Sequence, residues 1–329
     1  MIVTTPIFRS LKEIHPNLEI GVFASETNAE IIRFNPFVDH VYVLYSNWTK
    51  LAAEIMKARK ANYEVVLNLI FNRTTSGGIL SNLVSPSGIK IGQGDEKYRF
   101  YFNRLLSLSR SKSHMLETLA NIIRDVFNIK LTTKEMTYEI VADEKTIQTV
   151  NTFLTKEDIR PRNRLLPGKP CYIVFNLSAN DSVRRISAEQ ALAIGSHLGS
   201  KSLFRTVLIG APQDSMLRKV IHDLQRQAGC IPFPDHGNAT LLEVSALIEN
   251  AVAVITPDTS IIHIASAKKV PVLGFYTAMQ DVHEWLPHQV KNRIVVSPAH
   301  EPTSAIPIPG MLSAIDEFIR DLNLDSTNK

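Results

Sequence analysis

The sequence predicts an α/β protein built from two doubly wound, parallel-sheet domains. Three observations carry that prediction. At 329 residues the chain is long for a single hydrophobic core and suits two domains of about 150 residues each. Short, nearly unbroken apolar runs alternate with segments of helical period, the pattern of strands covered on both faces by crossover helices. Between two such series lies a polar, proline-bearing stretch, 156–170 (KEDIRPRNRLLPGKP), which breaks the periodicity and reads as a linker. The domain bounds follow as 1–158 and 168–329.

In the first series, helices are predicted over 6–14, 27–34, 49–60 and 115–127, and strands over 18–24, 41–44, 64–69 and 88–91. A doubly wound domain ordinarily begins with a strand whose following loop faces the ligand. Here Met1 to Pro6 lead straight into a helix. Strand 18–24 would then lack a neighbour and keep an open apolar edge. An opening strand of about 10 residues, with its loop, is therefore expected to be missing from the reading frame. A fold that begins with a helix is the alternative.

The second series is clearer. CYIVFNL (171–177) is a strand buried on both faces. Ser187 and Gln190 form a capping box that opens a helix to about 198. FRTVLI (204–209) is the next strand, followed by a helix over 213–227. Thr240 and Glu243 make a second capping box, with Leu241, Val244, Leu247 and Ile248 on one helical face. A strand over 251–256, a helix over 259–268 and a strand over 270–276 complete the alternation. A last helix, 311–322, follows a proline-rich turn and is expected to pack back on the first domain.

Composition narrows the class. Hydrophobic residues make up 44% and charged residues 21% of the chain, an ordinary globular mix. The net charge of +4 favours anionic partners but is too small to argue for nucleic acid. Cys171 and Cys230 show no metal or disulfide spacing, which fits a reducing compartment. No apolar run approaches a membrane span, and the first 12 residues lack the order of a signal peptide. A cytoplasmic protein is expected, with peripheral contact at an anionic inner-membrane surface. No GxGxxG follows any predicted strand, which disfavours a dinucleotide oxidoreductase.

The strongest local signal is ITPDTSIIH, 255–263. A buried strand ends, a turn follows, and a helix starts with Asp258 as cap and two small hydroxyl residues, Thr259 and Ser260. Backbone N–H groups at a helix start, with the helix dipole, suit a diphosphate. Thr259 and His263 lie four apart and share a helical face. The same residues also fit an Asp cap and a core histidine.

ITPDTSIIHIASAKKVPVLGFY resembles the D-T-G-x-x-H-x-A-A-x-x-x-P segment of glycosyltransferase family 9, the heptosyltransferase family. Thr4-Thr5-Pro6 with Leu11-Lys12 and the later His15-Pro16-Asn17 resembles that family's T-T-P-x-x-x-x-L-K-x-x-x-P-x-A opening. Asn35-Pro36-Phe37-Val38-Asp39 with Val41 resembles its N-P-x-V-D-x-V stretch. The resemblance implies a GT-B fold, two doubly wound Rossmann-like domains facing a cleft, with the acceptor on the first and the nucleotide-sugar donor on the second. It implies an inverting, metal-independent transfer of heptose or a related sugar, with no cofactor, from a nucleotide-diphosphate donor such as ADP-heptose to a lipopolysaccharide-core or other saccharide acceptor.

Carried over residue by residue, Asp258, Thr259, Ser260 and His263 match the donor motif. Arg184 stands where the family has a basic residue that pairs with the donor diphosphate, and Asp214 stands near its ribose-holding acid. Asn176, Ser178 and Asn180 follow a strand end and either line the phosphate site or form a turn. The acceptor candidates are Thr4, Thr5, Arg73, Arg99 and His114; Arg99 belongs to a stretch of basic and aromatic residues, 97–112, that suits a phosphorylated saccharide or an anionic bilayer. Three departures stand out. The motif's Gly is Ser260. Its K-x-W-P stretch reads with Ile186 and Ser187. The family's Gly-Asp pair, whose Asp resembles the general base, is expected just before Met1. A catalytically impaired nucleotide-sugar binder is the alternative function.

Overall fold

The computed structural model describes residues 1–69, 74–106, 113–162, 170–201, 203–210, 215–235, 237–279 and 282–323. The chain divides into two compact units, essentially Val3–Met136 and Thr137–Lys329. That division falls upstream of the expected linker, so residues 137–156 belong with the second unit.

The first unit opens with helix α1 (Thr5–Ile14), with a proline in its first turn where a missing N–H costs nothing. Then come β1 (Gly21–Ser25), α2 (Glu26–Ile32), β2 (His40–Leu44), α3 (Trp48–Lys60), β3 (Val65–Leu67), α4 (Thr74–Val84), β4 (Ile89–Gln93), β5 (Arg104–Leu106) and α5 (Met115–Phe127). Caps set several boundaries. Asn47 Oδ1 accepts from the Thr49 and Lys50 N–H groups at the start of α3, and Asn128 ends α5 in the left-handed conformation at φ 57°. The strands form two parallel sheets, β1–β2 and β3–β4–β5. Strand β1 is not without a neighbour, since Gly21–Ser25 pairs in register with His40–Leu44. The two sheets share one core, in which Tyr42, Ala58 and Val84 are buried against Phe23, Ile55, Tyr63, Val66 and Leu80.

The second unit holds α6 (Glu144–Lys156), β6 (Cys171–Asn176), α7 (Ala188–Gly199), β7 (Phe204–Ile209), α8 (Ser215–Ala228), β8 (Ile231–Pro232), α9 (Leu241–Glu249), β9 (Ala253–Pro257), α10 (Ser260–Ala267), β10 (Val272–Tyr276), β11 (Asn292–Val296) and α11 (Ile308–Asp321). Both expected capping boxes are present, at Ser187/Gln190 and Thr240/Glu243. All six strands are parallel, in the order β11-β10-β9-β6-β7-β8. Strands β6, β9 and β10 are buried throughout, as continuous apolar runs must be when helices cover both faces.

The last helix packs within the second unit. Met311, Ile315, Phe318 and Ile319 of α11 lie in the second unit's own core with Ile194, Leu198 and Phe275. Their i, i+4, i+7, i+8 spacing gives α11 one apolar stripe, and this sheet consumes it. Cys171 and Cys230 are free and buried in the same core, where burial pushes the Cys230 thiol up to about 11. Among the described residues no helix is long and apolar enough to cross a membrane.

Candidate functional site

The strand order of the second unit reverses between β6 and β9. From β6 the chain crosses to β7 on one side, and from β9 it crosses to β10 on the other. The two connections diverge above the carboxyl ends of these strands, which is the usual ligand position in an open parallel sheet. Residues 176–185 and 257–263 therefore meet at one place, although they are far apart in sequence.

A polar network ties the two strand ends together. The buried Asn176 amide donates to Thr256 Oγ1 (2.9 Å), the Ser178 carbonyl (3.0 Å) and Thr259 Oγ1 (3.2 Å). Its Oδ1 accepts from the N–H and hydroxyl of Ser178, both at 3.1 Å. Asn176 thus turns the chain after β6 and clamps it to the end of β9, while Asn180 stays exposed.

The helix cap is Thr259 rather than Asp258. Thr259 is extended (φ −143°, ψ 177°) and its Oγ1 accepts from the Ile261 N–H at 3.3 Å. The Asp258 N–H still belongs to the sheet, donating to the Phe275 carbonyl at 2.9 Å, so Asp258 sits one residue too early to cap. Its carboxylate instead faces Arg184, Nε to Oδ2 at 3.5 Å. Arg184 is placed by a single 3-10 turn, Ser182–Arg184, which Asp181 caps through the Val183 N–H. Burial pushes the Asp258 carboxyl above its ordinary range, and Asp181 adds to this while Arg184 opposes it. Ser260, the first residue of α10, is exposed. The site therefore offers a partly exposed guanidinium, a buried carboxylate and an open helix amino end, which together suit a ligand carrying both phosphate and hydroxyl groups.

His263, one turn into α10, is 8% exposed. It is packed edge-on by Tyr138 (ring centroids 5.9 Å apart) and by Trp285 (5.6 Å). The Tyr276 hydroxyl donates to the Trp285 carbonyl at 3.1 Å. Sequence reasoning missed Tyr138, Trp285, Tyr276, Thr256 and Asp181. Only Asp181 carried a signal, as a capping residue two positions ahead of Val183.

Each remaining predicted residue is placed within its own unit. Arg73 and Asp214 fall outside the described residues. Thr4 Oγ1 donates to the Met1 carbonyl at 2.6 Å, and Thr5 is fully buried at the start of α1. His114 caps α5, its Nδ1 accepting from the Leu116 N–H at 3.1 Å. Arg99 is an exposed partner of Glu96. In the two N-terminal motifs, Lys12 Nζ donates to Asp39 Oδ1 at 2.9 Å and the Ile20 N–H to Asp39 Oδ2 at 2.7 Å.

Comparison with known proteins gives a consistent answer. The chain resembles a family 9 glycosyl transferase from Veillonella parvula, at 17% identity and a TM-score of 0.78, over 97% of this chain and 93% of that one. It also resembles E. coli ADP-heptose lps heptosyltransferase II, at 18% identity and a TM-score of 0.74, over 98% and 96% of the two chains. An E. coli heptosyltransferase solved with ADP matches at 17% identity and a TM-score of 0.69, over 97% and 93%. These likenesses show the predicted α/β, GT-B class of fold. The model of glycosyltransferase family 9 (heptosyltransferase) matches residues 52–306, a span that contains Arg184, Asp258 and the whole of α10, and the chain belongs to that family.

Proposed function

We propose that this protein transfers a heptose or related sugar from a nucleotide-diphosphate donor, ADP-heptose first among them, to a lipopolysaccharide-core or similar saccharide acceptor. The observation that carries the reading is the convergence of Arg184, Asp258 and the amino end of α10 at the point where the strand order reverses. The E. coli neighbours that act on ADP-heptose or were solved with ADP support the choice of nucleotide.

In the proposed reaction the acceptor oxygen bonds to the anomeric carbon as the bond from that carbon to the diphosphate oxygen breaks, with inversion. The electron pair leaves with the diphosphate. Its developing charge is met by the Arg184 guanidinium and by N–H groups of the first turn of α10, both already in place before the reaction. The acceptor proton passes to a general base, for which the family resemblance implies an aspartate. Asp258 accepts hydrogen bonds from donor hydroxyls. Thr4, Arg99 and His114 are assigned to the acceptor side, with Thr5, buried at the start of α1, positioning that segment, and the first unit to contact with an anionic membrane surface.

The test is titration with ADP, ADP-heptose and other nucleotide sugars, followed by a transfer assay on heptose-deficient core saccharide, each with and without EDTA. ADP-heptose should bind and turn over equally with chelator present. Abolition by EDTA with rescue by magnesium would reject the metal-independent mechanism, and no affinity for any nucleoside diphosphate would reject the site.

A further inference from the structure

Tyr138 lies in the segment between the start of the second unit and α6, and no sequence motif draws it to the site. Its ring stands edge-on to His263 at 84° and tilts against His288, with centroids 5.4 Å apart. The side chain is 3% exposed, yet its hydroxyl has no hydrogen-bond partner. Two other tyrosines of this unit, equally buried, do find one: Tyr172 donates to the Leu247 carbonyl at 2.7 Å and Tyr276 to the Trp285 carbonyl. Buried phenols normally pair, and phenylalanine would fill the same space without leaving a polar atom unsatisfied. An unsatisfied polar group kept beside a binding motif marks a place where stability is conceded to function. The phenol is a neutral O–H donor at physiological pH, and burial raises its pKa further.

We infer that Tyr138 is a donor-selecting residue, whose hydroxyl hydrogen-bonds to the transferred sugar of the bound nucleotide sugar, with His263 and Trp285 forming the wall beside it. The inference rests on the reading that the diphosphate docks at the amino end of α10. Arg184 and the first helical turn already serve the phosphates. His263 shares a helical face with Thr259, the residue that caps α10, so the group around it flanks the same side of the helix as the diphosphate site. A site built to bond a substrate hydroxyl rejects analogues that lack it, which makes Tyr138 a discriminator between sugars rather than a source of general affinity.

The experiment compares the whole protein with Tyr138→Phe by calorimetry, using ADP and ADP-heptose as probes. The variant should bind ADP as the parent does and ADP-heptose about tenfold more weakly, while melting at the same or a higher temperature. Equal affinity of the two proteins for both probes, or equal weakening for both, would overturn the inference. A second measurement assigns the bond: among donors each lacking one sugar hydroxyl, one should bind the parent about tenfold more weakly than ADP-heptose and yet lose nothing further in Tyr138→Phe. If every deoxy penalty is the same in the variant as in the parent, the inference fails. Arg184→Ala separates the two levels. Unchanged ADP affinity in that variant sinks the diphosphate site and this inference with it, whereas lost ADP affinity beside an indifferent Tyr138→Phe sinks the inference alone.

Discussion

Arg184 Nε stands 3.5 Å from Asp258 Oδ2, joining the connection after β6 to the end of β9 across the point where the strand order reverses. The arginine side chain is 29% exposed and the carboxylate 9%, so the cation keeps one face toward solvent while the anion does not. Arg184→Ala should weaken ADP binding more than roughly tenfold, since it removes a charge-assisted contact with the diphosphate. It should also cost about 1–2 kcal/mol of stability by leaving a buried carboxylate unpaired. Asp258→Ala and His263→Ala should lower donor affinity or turnover by a similar factor. Calorimetry with ADP-heptose checks all three, and titrations like those of the parent would reject the site.

The burial of Asp258 has a pH signature. Its carboxyl titrates above the ordinary 3.8 because burial outweighs the opposing pull of Arg184, with a smaller push in the same direction from Asp181. The unfolded chain therefore gives up this proton at lower pH than the folded chain does. The group's contribution to stability is fully present below 3.8 and is lost as pH rises through the folded value. Asp258→Asn has no such titration. The stability of the parent minus that of the variant, from urea midpoints at several pH values, should fall across that window and then level off. A difference that rises with pH would mean the carboxylate is stabilised, not strained.

Much of the fold was legible because its signals are local. Helix α5 and strand β7 match their expected spans, 115–127 and 204–209, and both capping boxes form as spelled. What escaped was set by tertiary contact. Helix α4 carries Gly77 and Gly78, poor helix formers. Yet a Cβ on Gly77 would sit 2.2 Å from the Asn68 amide, and one on Gly78 2.5 Å from the Tyr101 Cβ. The glycines answer to neighbours rather than to the helix. Strand β8 is two residues long and shows no period at all. At the site, the motif 258–263 could be read directly. The pairing of Arg184 with Asp258 and the rings around His263 depend on strand order, which no local pattern encodes.

Asn176 shows how that strand order is fixed in detail. It is 2% exposed and its amide holds Thr256 and Thr259 from one side while turning Ser178 on the other. Asn176→Ala should cost about 1–3 kcal/mol, because it orphans several buried groups together. It should also lower ADP affinity by loosening the Thr259 cap. Asn176→Asp keeps the acceptor for Ser178 but cannot donate to the threonines, and it adds a negative charge near the phosphates. It should therefore bind ADP more weakly than the alanine variant. Denaturation midpoints with ADP titrations test the order, and an aspartate variant that binds as well as the parent would refute the phosphate placement.

The matched residues of the N-terminal motifs divide from those of the donor motif by the work they do. Lys12 and the Ile20 N–H both donate to Asp39, which ties α1 and the residue before β1 to the entrance of β2. Burial raises the Asp39 carboxyl, but the Ile20 N–H and Lys12 more than offset this and hold it below 3.8. Here the sign is opposite to that of Asp258: the contribution is present above 3.8 and is lost as pH falls through the folded value. With the carboxylate 36% exposed, solvent screening keeps the expected cost of Asp39→Ala to about 1–2 kcal/mol at neutral pH. That cost should shrink on acidification. ADP affinity should not change, because the donor residues belong to the other unit. An Asp39→Ala protein of unaltered stability but weakened ADP binding would show that this motif contacts the ligand instead of anchoring the first helix.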